Sequence, residues 1–117
     1  MNILFIVNES PYGSERAWNA LRLATALQQE GEGARVRIFL LSDAVYGALP
    51  EHHRPEGSYN VAQMLSSLIA SGAEVLACVT CVDQRGLWAF RLLEGVQLGS
   101  MVELARWTAE ADKVLVF

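Results

Sequence analysis

A chain of 117 residues with 52% apolar side chains can fill one core between layers and is too short for two ordinary domains. Its formal charge of −4 excludes the dense Lys/Arg face with which a protein tracks nucleic-acid phosphates, so no nucleic acid is expected as a partner. The apolar stretch Ile3 to Val7 is too short for a signal-peptide core or a membrane span and follows no basic segment, so a cytoplasmic protein without a membrane anchor is expected.

Asn2 to Asn8 is a continuous apolar run with β-branched residues, the pattern of a strand covered on both faces. From Ser14 to about Glu30, Ala17, Leu21, Ala24 and Leu27 recur at helical spacing; Ser14 is placed to cap the start and Gly31 or Gly33 the end. Arg35 to Leu41 reads as a second strand, followed by a helix-start signal at Ser42-Asp43. The stretch from Tyr46 to Ser58, with its Pro, Gly and adjacent histidines, reads as an exposed loop. Asn60 with Gln63 resembles a capping box, and Val61, Met64, Leu65, Leu68 and Ile69 form the buried stripe of the helix that Gly72 ends. Glu74 to Cys78 is a third strand, about Asp83 to Leu93 a short helix, and Gly95 to Gly99 a fourth strand. Ser100 with Glu103 caps the last helix, and Lys113 to Phe117 closes the chain as a strand.

Strands alternating with helices imply right-handed crossovers. The expected fold is a single three-layer α/β/α domain, residues 1–117, around a five-stranded, mostly parallel sheet. Ligands bind such sheets beyond the carboxyl ends of the strands. The informative segments are therefore Asn8 to Ser14, Ser42 to Val45, Cys78 to Arg85 and Gly99-Ser100, with Asn8, Ser14 and Ser42 as candidate ligand-binding residues.

Cys78 falls where the third strand hands over to a loop, a position that suits a nucleophile. Its thiol acts as thiolate, which Arg85 and the N-terminus of the short helix would stabilise and Asp83 would oppose. The competing reading makes Cys78 a small buried hydrophobe that finishes a strand. Cys81 completes a C-x-x-C, which offers a dithiol oxidoreductase of thioredoxin type as a further reading, but the pair straddles a strand end instead of opening a long helix after a Trp-rich turn. A bridge between the two would close a tiny loop and restrain the unfolded chain little. No metal site is expected: a second C-x-x-C is missing, and His52 and His53 are adjacent, without the spacing that puts two ligands on one helix face, and read as solvated loop residues. The loop after the first strand lacks both the G-x-G-x-x-G glycines and a Lys-Ser/Thr ending, and no cofactor is expected. Trp18, Trp88, Trp107, Tyr12, Tyr46, Tyr59 and Phe90 exceed what one small core can hold, which points to a subunit interface.

Pro11-Tyr-Gly-Ser-Glu15, Phe39-Leu-Leu-Ser-Asp-Ala-Val45, Gly57-Ser-Tyr-Asn60, Cys78-Val-Thr-Cys81 with Arg85-Gly86, and Val102 to Trp107 closing on Ala111 to Val114 occur together and in this order. In these segments the chain resembles the DsrE-like family, YchN type. More distantly, Cys78 with Gly86 is similar to the cysteine segment of the TusD and DsrE sulfur-relay subunits. The resemblance implies that Cys78 corresponds to their persulfide-carrying cysteine, whose thiolate accepts sulfane sulfur from a donor persulfide and hands it to the next carrier. Two departures stand out: Gln84-Arg85 supplies one charge where the relay subunits carry a basic pair, and Cys81 has no counterpart there.

The implied protein is a sulfur carrier acting through Cys78, with Arg85 favouring the thiolate and Cys81 assisting or resolving. Its implied partners are itself, as a homotrimer or homohexamer, and sulfur-donor and sulfur-acceptor proteins. The alternative is a non-catalytic oligomeric module that binds a small ligand or a partner protein through Asn8, Ser14 and Ser42.

Overall fold

The computed structural model describes residues 1–117. The opening apolar run forms β1 (Asn2–Val7), with Ile3, Leu4, Phe5 and Val7 buried. It pairs with β2 (Arg35–Leu40) on one side and β5 (Lys113–Val116) on the other, while β3 (Glu74–Cys78) and β4 (Val96–Gly99) extend the sheet in the order β4-β3-β2-β1-β5. All four pairings are parallel, so the expected fold holds and the sheet is more uniform than expected.

The strand order fixes which face each helix covers. From β1 to β4 the chain steps in one direction, so right-handed crossovers place α1 (Arg16–Glu30), α2 (Val61–Ala70) and α3 (Val79–Gln84) on one face. The return from β4 to β5 reverses direction and leaves α4 (Met101–Glu110) alone on the other. The periodic apolar residues of α1 and α2 pack on the sheet: Ala17, Ala20, Leu21 and Ala24 from α1, and Val61, Ala62, Leu65 and Leu68 from α2, are buried. Gln28 of α1 donates to the Leu68 carbonyl of α2 at 3.1 Å and holds the two helices together.

On the opposite face α4 offers Leu104 and Trp107. The Trp107 ring meets Phe39 edge-on at 6.2 Å and lies 5.0 Å from the Arg37 guanidinium. Arg37 is buried and bonded to Glu110 at 2.6 Å and Glu74 at 3.2 Å. Burial works against its charge, but the two carboxylates outweigh burial and raise its pKa above the usual arginine value. Burial likewise works against the Glu74 carboxylate, and Arg37 and Arg35 outweigh it, holding the group below the usual glutamate range. Gly99 closes this corner. A Cβ there would come within 3.0 Å of Leu76 and Phe39, so only glycine lets β4 lie this close to the core.

Three local expectations change. The first concerns the starts of the helices: α4 carries the expected capping box between Ser100 and Glu103, and the Asn60 side chain caps α2 by accepting from the Gln63 N–H. In contrast, α1 starts at Arg16, too late for Ser14 to occupy its cap position, and Ser14 Oγ accepts from the Arg16 N–H at 3.4 Å. Secondly, the helix expected from Asp83 to Leu93 is displaced. Helix α3 begins immediately after Cys78 and ends before Gly86, whose φ of 67° few other residues adopt, and a single 3-10 turn follows at Leu87–Ala89.

The third change concerns the stretch read as an exposed loop from Tyr46. A 3-10 turn over Ser42–Ala48 carries Val45, Gly47 and Ala48 into the core. His52 is half-buried and hydrogen-bonded, whereas His53 is exposed as expected. The Tyr12 hydroxyl accepts the Val61 N–H at 3.0 Å and lies 2.7 Å from His52 Nδ1. His52 Nε2 lies 3.2 Å from the Tyr46 carbonyl, which can only accept, so the neutral imidazole carries its proton there and Nδ1 accepts from the Tyr12 hydroxyl. Arg54 covers the Tyr12 ring at 3.7 Å, and Tyr59 stacks on Trp18 at 4.9 Å. Burial lowers the His52 pKa, Arg54 lowers it further, and the Tyr46 and Leu49 carbonyls oppose them without prevailing.

The folded chain thus binds this proton less readily than the unfolded chain, and stability rises with pH across the window. The urea midpoint is expected to fall as pH drops from about 7 to about 5, through and below the ordinary histidine range. The fall should be smaller in a His52→Gln variant, and equal falls in both proteins would contradict this role for the His52–Tyr12 contact.

Candidate functional site

The carboxyl ends of β2 and β3 bring Ser42, Asp43, Cys78, Cys81 and Arg85 together. Cys78 is the last residue of β3 and also the N-cap of α3, so strand passes into helix without a loop. Its sulfur accepts the Cys81 N–H at 3.2 Å, the bond that an Asp or Ser oxygen makes at an ordinary helix start. Cys78 is 7% exposed, and Cys81, one turn on, is more open. The Cys81 sulfur accepts the Ser42 N–H at 3.2 Å. Ser42 is the only non-glycine residue with positive φ, at 52°, a conformation that costs roughly 1 kcal/mol and is held by the turn that follows β2.

Arg85 closes the arrangement from the end of α3. Its Nε donates to Asp43 at 2.9 Å and its Nη1 to the Cys81 carbonyl at 3.2 Å, which ties α3 to the turn after β2. Its charge is therefore matched by Asp43, and the Cys78 thiol is governed by other groups. Burial pushes that thiol up, the Cys81 thiol pushes it further, and the N–H groups of Cys81 and Thr80 only partly offset them. The structure thus gives Cys78 less thiolate at neutral pH than an exposed cysteine: the N–H groups at the start of α3 act in the expected direction but are outweighed by burial.

The remaining predicted residues lie apart from the thiols in role. Asn8 donates through Nδ2 to the Phe117 carbonyl at 3.5 Å and also through its backbone N–H at 2.8 Å, fastening the end of β1 to that of β5. Ser14 serves the start of α1. Of the three candidate ligand-binding residues only Ser42 meets the cysteines, and it does so through its backbone. Asp43 was seen in the sequence only as a helix-start signal; a carboxylate beside Ser42 on the strand-end turn was the available hint of a pairing with Arg85.

Beside the cysteine helix, Val79, Val82, Trp88 and Leu98 line a shallow apolar depression with Thr80 and Asp83 at its rim. The roomiest surface hollow lies elsewhere, between α1 and α2 beside Tyr59 and Met64, and contains neither cysteine. No group of three or more His, Cys, Asp or Glu side chains gathers to hold a metal. No helix is long and apolar enough to cross a membrane.

The model of the DsrE/DsrF-like family matches residues 1–117. This chain belongs to the DsrE/DsrF-like family. Among its relatives is the protein YchN of Escherichia coli, 46% identical over 115 residues, a match that spans 98% of this chain and 97% of YchN. The crystal structure of the E. coli ychN protein superposes with a TM-score of 0.92, covering 99% of this chain and 98% of that one. A protein of unknown function from Methanobacterium thermoautotrophicum, 19% identical, shares the fold with a TM-score of 0.81 over 99% of this chain and 98% of its own. The expected family resemblance, with its YchN type, therefore holds across the whole DsrE/DsrF-like chain.

With Cys81→Ser leaving Cys78 as the only thiol, the pH at which iodoacetamide reaches half its maximal rate should lie above the ordinary cysteine range, because burial acts without Cys81. A half-rate pH at or below that range would contradict the burial argument.

Proposed function

We propose that this DsrE/DsrF-like chain is a cytoplasmic sulfur carrier that accepts sulfane sulfur from a donor protein as a persulfide on the Cys78–Cys81 pair, holds it on Cys78 and passes it to an acceptor. The observation that carries this reading is the joining of two free thiols at the carboxyl ends of the parallel strands, each sulfur met by a backbone N–H. In each exchange a thiolate attacks the outer sulfur of a persulfide. One S–S bond forms as another breaks, and the donor departs as a thiolate, so no oxidant is consumed. Such a step asks for a nucleophile and a docking surface more than for a deep pocket, which agrees with the shallow surroundings of the pair. Arg85 and Asp43 act here as positioning residues that hold α3 against the β2 turn.

A second reading is favoured by one observation, the burial of Cys78. It makes the chain an oligomeric binding module in which the thiol only packs. Intact-mass spectrometry after incubation with glutathione persulfide separates the two. The carrier gains a reducible sulfur that fragmentation places on Cys78, and a Cys78→Ser, Cys81→Ser double variant gains none. A wild-type chain that gains nothing under conditions that load a known relay protein would leave the binding module as the better description.

Self-association into a trimer or hexamer is part of the same proposal. Trp88 is 73% exposed and Phe90 60%, and Met101, Val102 and Val116 are also open to solvent, more large apolar surface than a monomer of this size usually shows. Because Leu4 pairs with Val114 and Ile6 with Val116, the two valines lie on the face that α4 covers alone. Light scattering should report an oligomer for the wild-type chain and a smaller species for Trp88→Glu, Phe90→Glu. A monomeric wild type would refute the assembly without touching the sulfur chemistry.

A further inference from the structure

The two cysteines are not equivalent, and the difference assigns them an order. Cys78 is the deeper thiol, 7% exposed at the end of a buried strand, whereas Cys81 sits on the first turn of α3 with its sulfur open enough to meet the Ser42 amide. The two cysteines stand on the same helix start, the Cys81 N–H lying 3.2 Å from the Cys78 sulfur. A bulky donor persulfide approaching from solvent therefore meets Cys81 before Cys78. The Ser42 N–H is already aimed at that sulfur, and such a donor binds an anionic sulfur more strongly than a neutral one. It is in place before the reaction, since Ser42 is held in its unusual backbone conformation by the turn that follows β2.

We propose that sulfur is taken up at Cys81 and then handed inward to Cys78, an order that rests on the carrier reading above. In the first step the Cys81 thiolate attacks the outer sulfur of the donor persulfide. The bond between Cys81 Sγ and that sulfur forms, the donor S–S bond breaks, and the donor leaves as a thiolate that takes a proton from solvent. In the second step the Cys78 thiol passes its proton to water and its sulfur attacks the same outer sulfur. The bond from Cys78 Sγ forms, the bond to Cys81 breaks, and Cys81 departs as the thiolate it was at the start. Sulfane sulfur moves twice, and nothing is oxidised or reduced overall.

The inward step has a structural rationale. A persulfide is readily reduced or alkylated when exposed, and the Cys78 side chain offers the buried position of the two. The raised Cys78 pKa, which makes this thiol a poor first nucleophile in solution, is less of an obstacle once the attacked sulfur is delivered within the same turn of chain. The substrate class follows from the approach. Because Val79, Trp88 and Leu98 form only a shallow apolar surface beside α3, the donor is a protein-borne or small-thiol persulfide presented from outside and not a molecule enclosed by a pocket.

The test uses the intact chain and glutathione persulfide, and follows the initial rate of glutathione release together with the intact mass. Cys78→Ser, whose hydroxyl can still cap α3, is expected still to release glutathione but to leave the sulfur on Cys81 instead of passing it inward. Cys81→Ser is expected to load Cys78 on the order of tenfold more slowly, since a buried thiol must then react directly. Cys81→Ala, checked by circular dichroism, repeats the measurement in case the hydroxyl disturbs α3. A brief iodoacetamide pulse on the wild-type chain, mapped to Cys81, should block uptake to the same extent. Loading of Cys81→Ser at the wild-type rate would overturn the order and leave the carrier intact. Release of sulfide with closure of a Cys78–Cys81 disulfide would overturn the second step, because attack would have fallen on the inner sulfur. If neither thiol gains sulfur in any of these proteins, the carrier reading itself fails and the order with it.

Discussion

A helix that begins at the last residue of a buried strand leaves backbone N–H groups with no intrahelical partner and no loop in which to find one. In this chain the sulfur of Cys78 meets that requirement, accepting the Cys81 N–H from its place at the end of β3. The rest of the site follows from this bond. Because α3 starts at Val79, Cys81 falls on its first turn and faces the neighbouring strand end, and Arg85 falls at its far end within reach of Asp43. Had a loop intervened between strand and helix, the second sulfur would have lost its fixed relation to the Ser42 amide.

The sheet holds this corner still by an uneven distribution of helices. Three crossovers on one face leave α4 to cover the other by itself, and a ten-residue helix cannot span five strands. Trp107 therefore does much of the covering, wedged against Phe39, with Arg37 beneath its ring. A buried guanidinium would be costly alone, and the flanking carboxylates of Glu74 and Glu110 make it tolerable. The tight approach of Gly99 to Leu76 and Phe39 then sets β4 beside β3, with Gly99 paired in register with Cys78. What α4 fails to cover, at Val114 and Val116, remains open to solvent.

Much of this was legible in the sequence because the signals are local. The apolar runs of β1 and β2, the stripe of α2 and the Ser100–Glu103 box each declare themselves within a few residues, and alternating strands and helices imply the parallel sheet. The site was less legible because its bonds join distant segments. The six residues of α3 are too few for an apolar period, and a thiol is not a residue one looks for at a helix start. The pairing of Arg85 with Asp43 and the latch of His52 on Tyr12 both cross about forty positions of sequence, which no local pattern encodes. The same limit explains why the histidine pair read as solvated: composition suggested a loop, and only the fold shows that Tyr12 from the β1–α1 connection reaches it.

Position and reactivity make opposed demands on Cys78. Serving as the cap of α3 requires its sulfur to sit against the protein, and that same burial disfavours the thiolate that nucleophilic attack requires. A single cysteine in this place would have to sacrifice one role to the other. The second cysteine removes the conflict, because it lies one helical turn away, more open, with its own N–H donor from a different strand end. In the proposed carrier, attack from solvent and sheltered storage then fall to different atoms, and the helix start that buries the first sulfur is also what positions the second. On this argument the C-x-x-C spacing matters for placing two unlike thiols on one turn, and a disulfide between them is a side reaction the arrangement has to avoid.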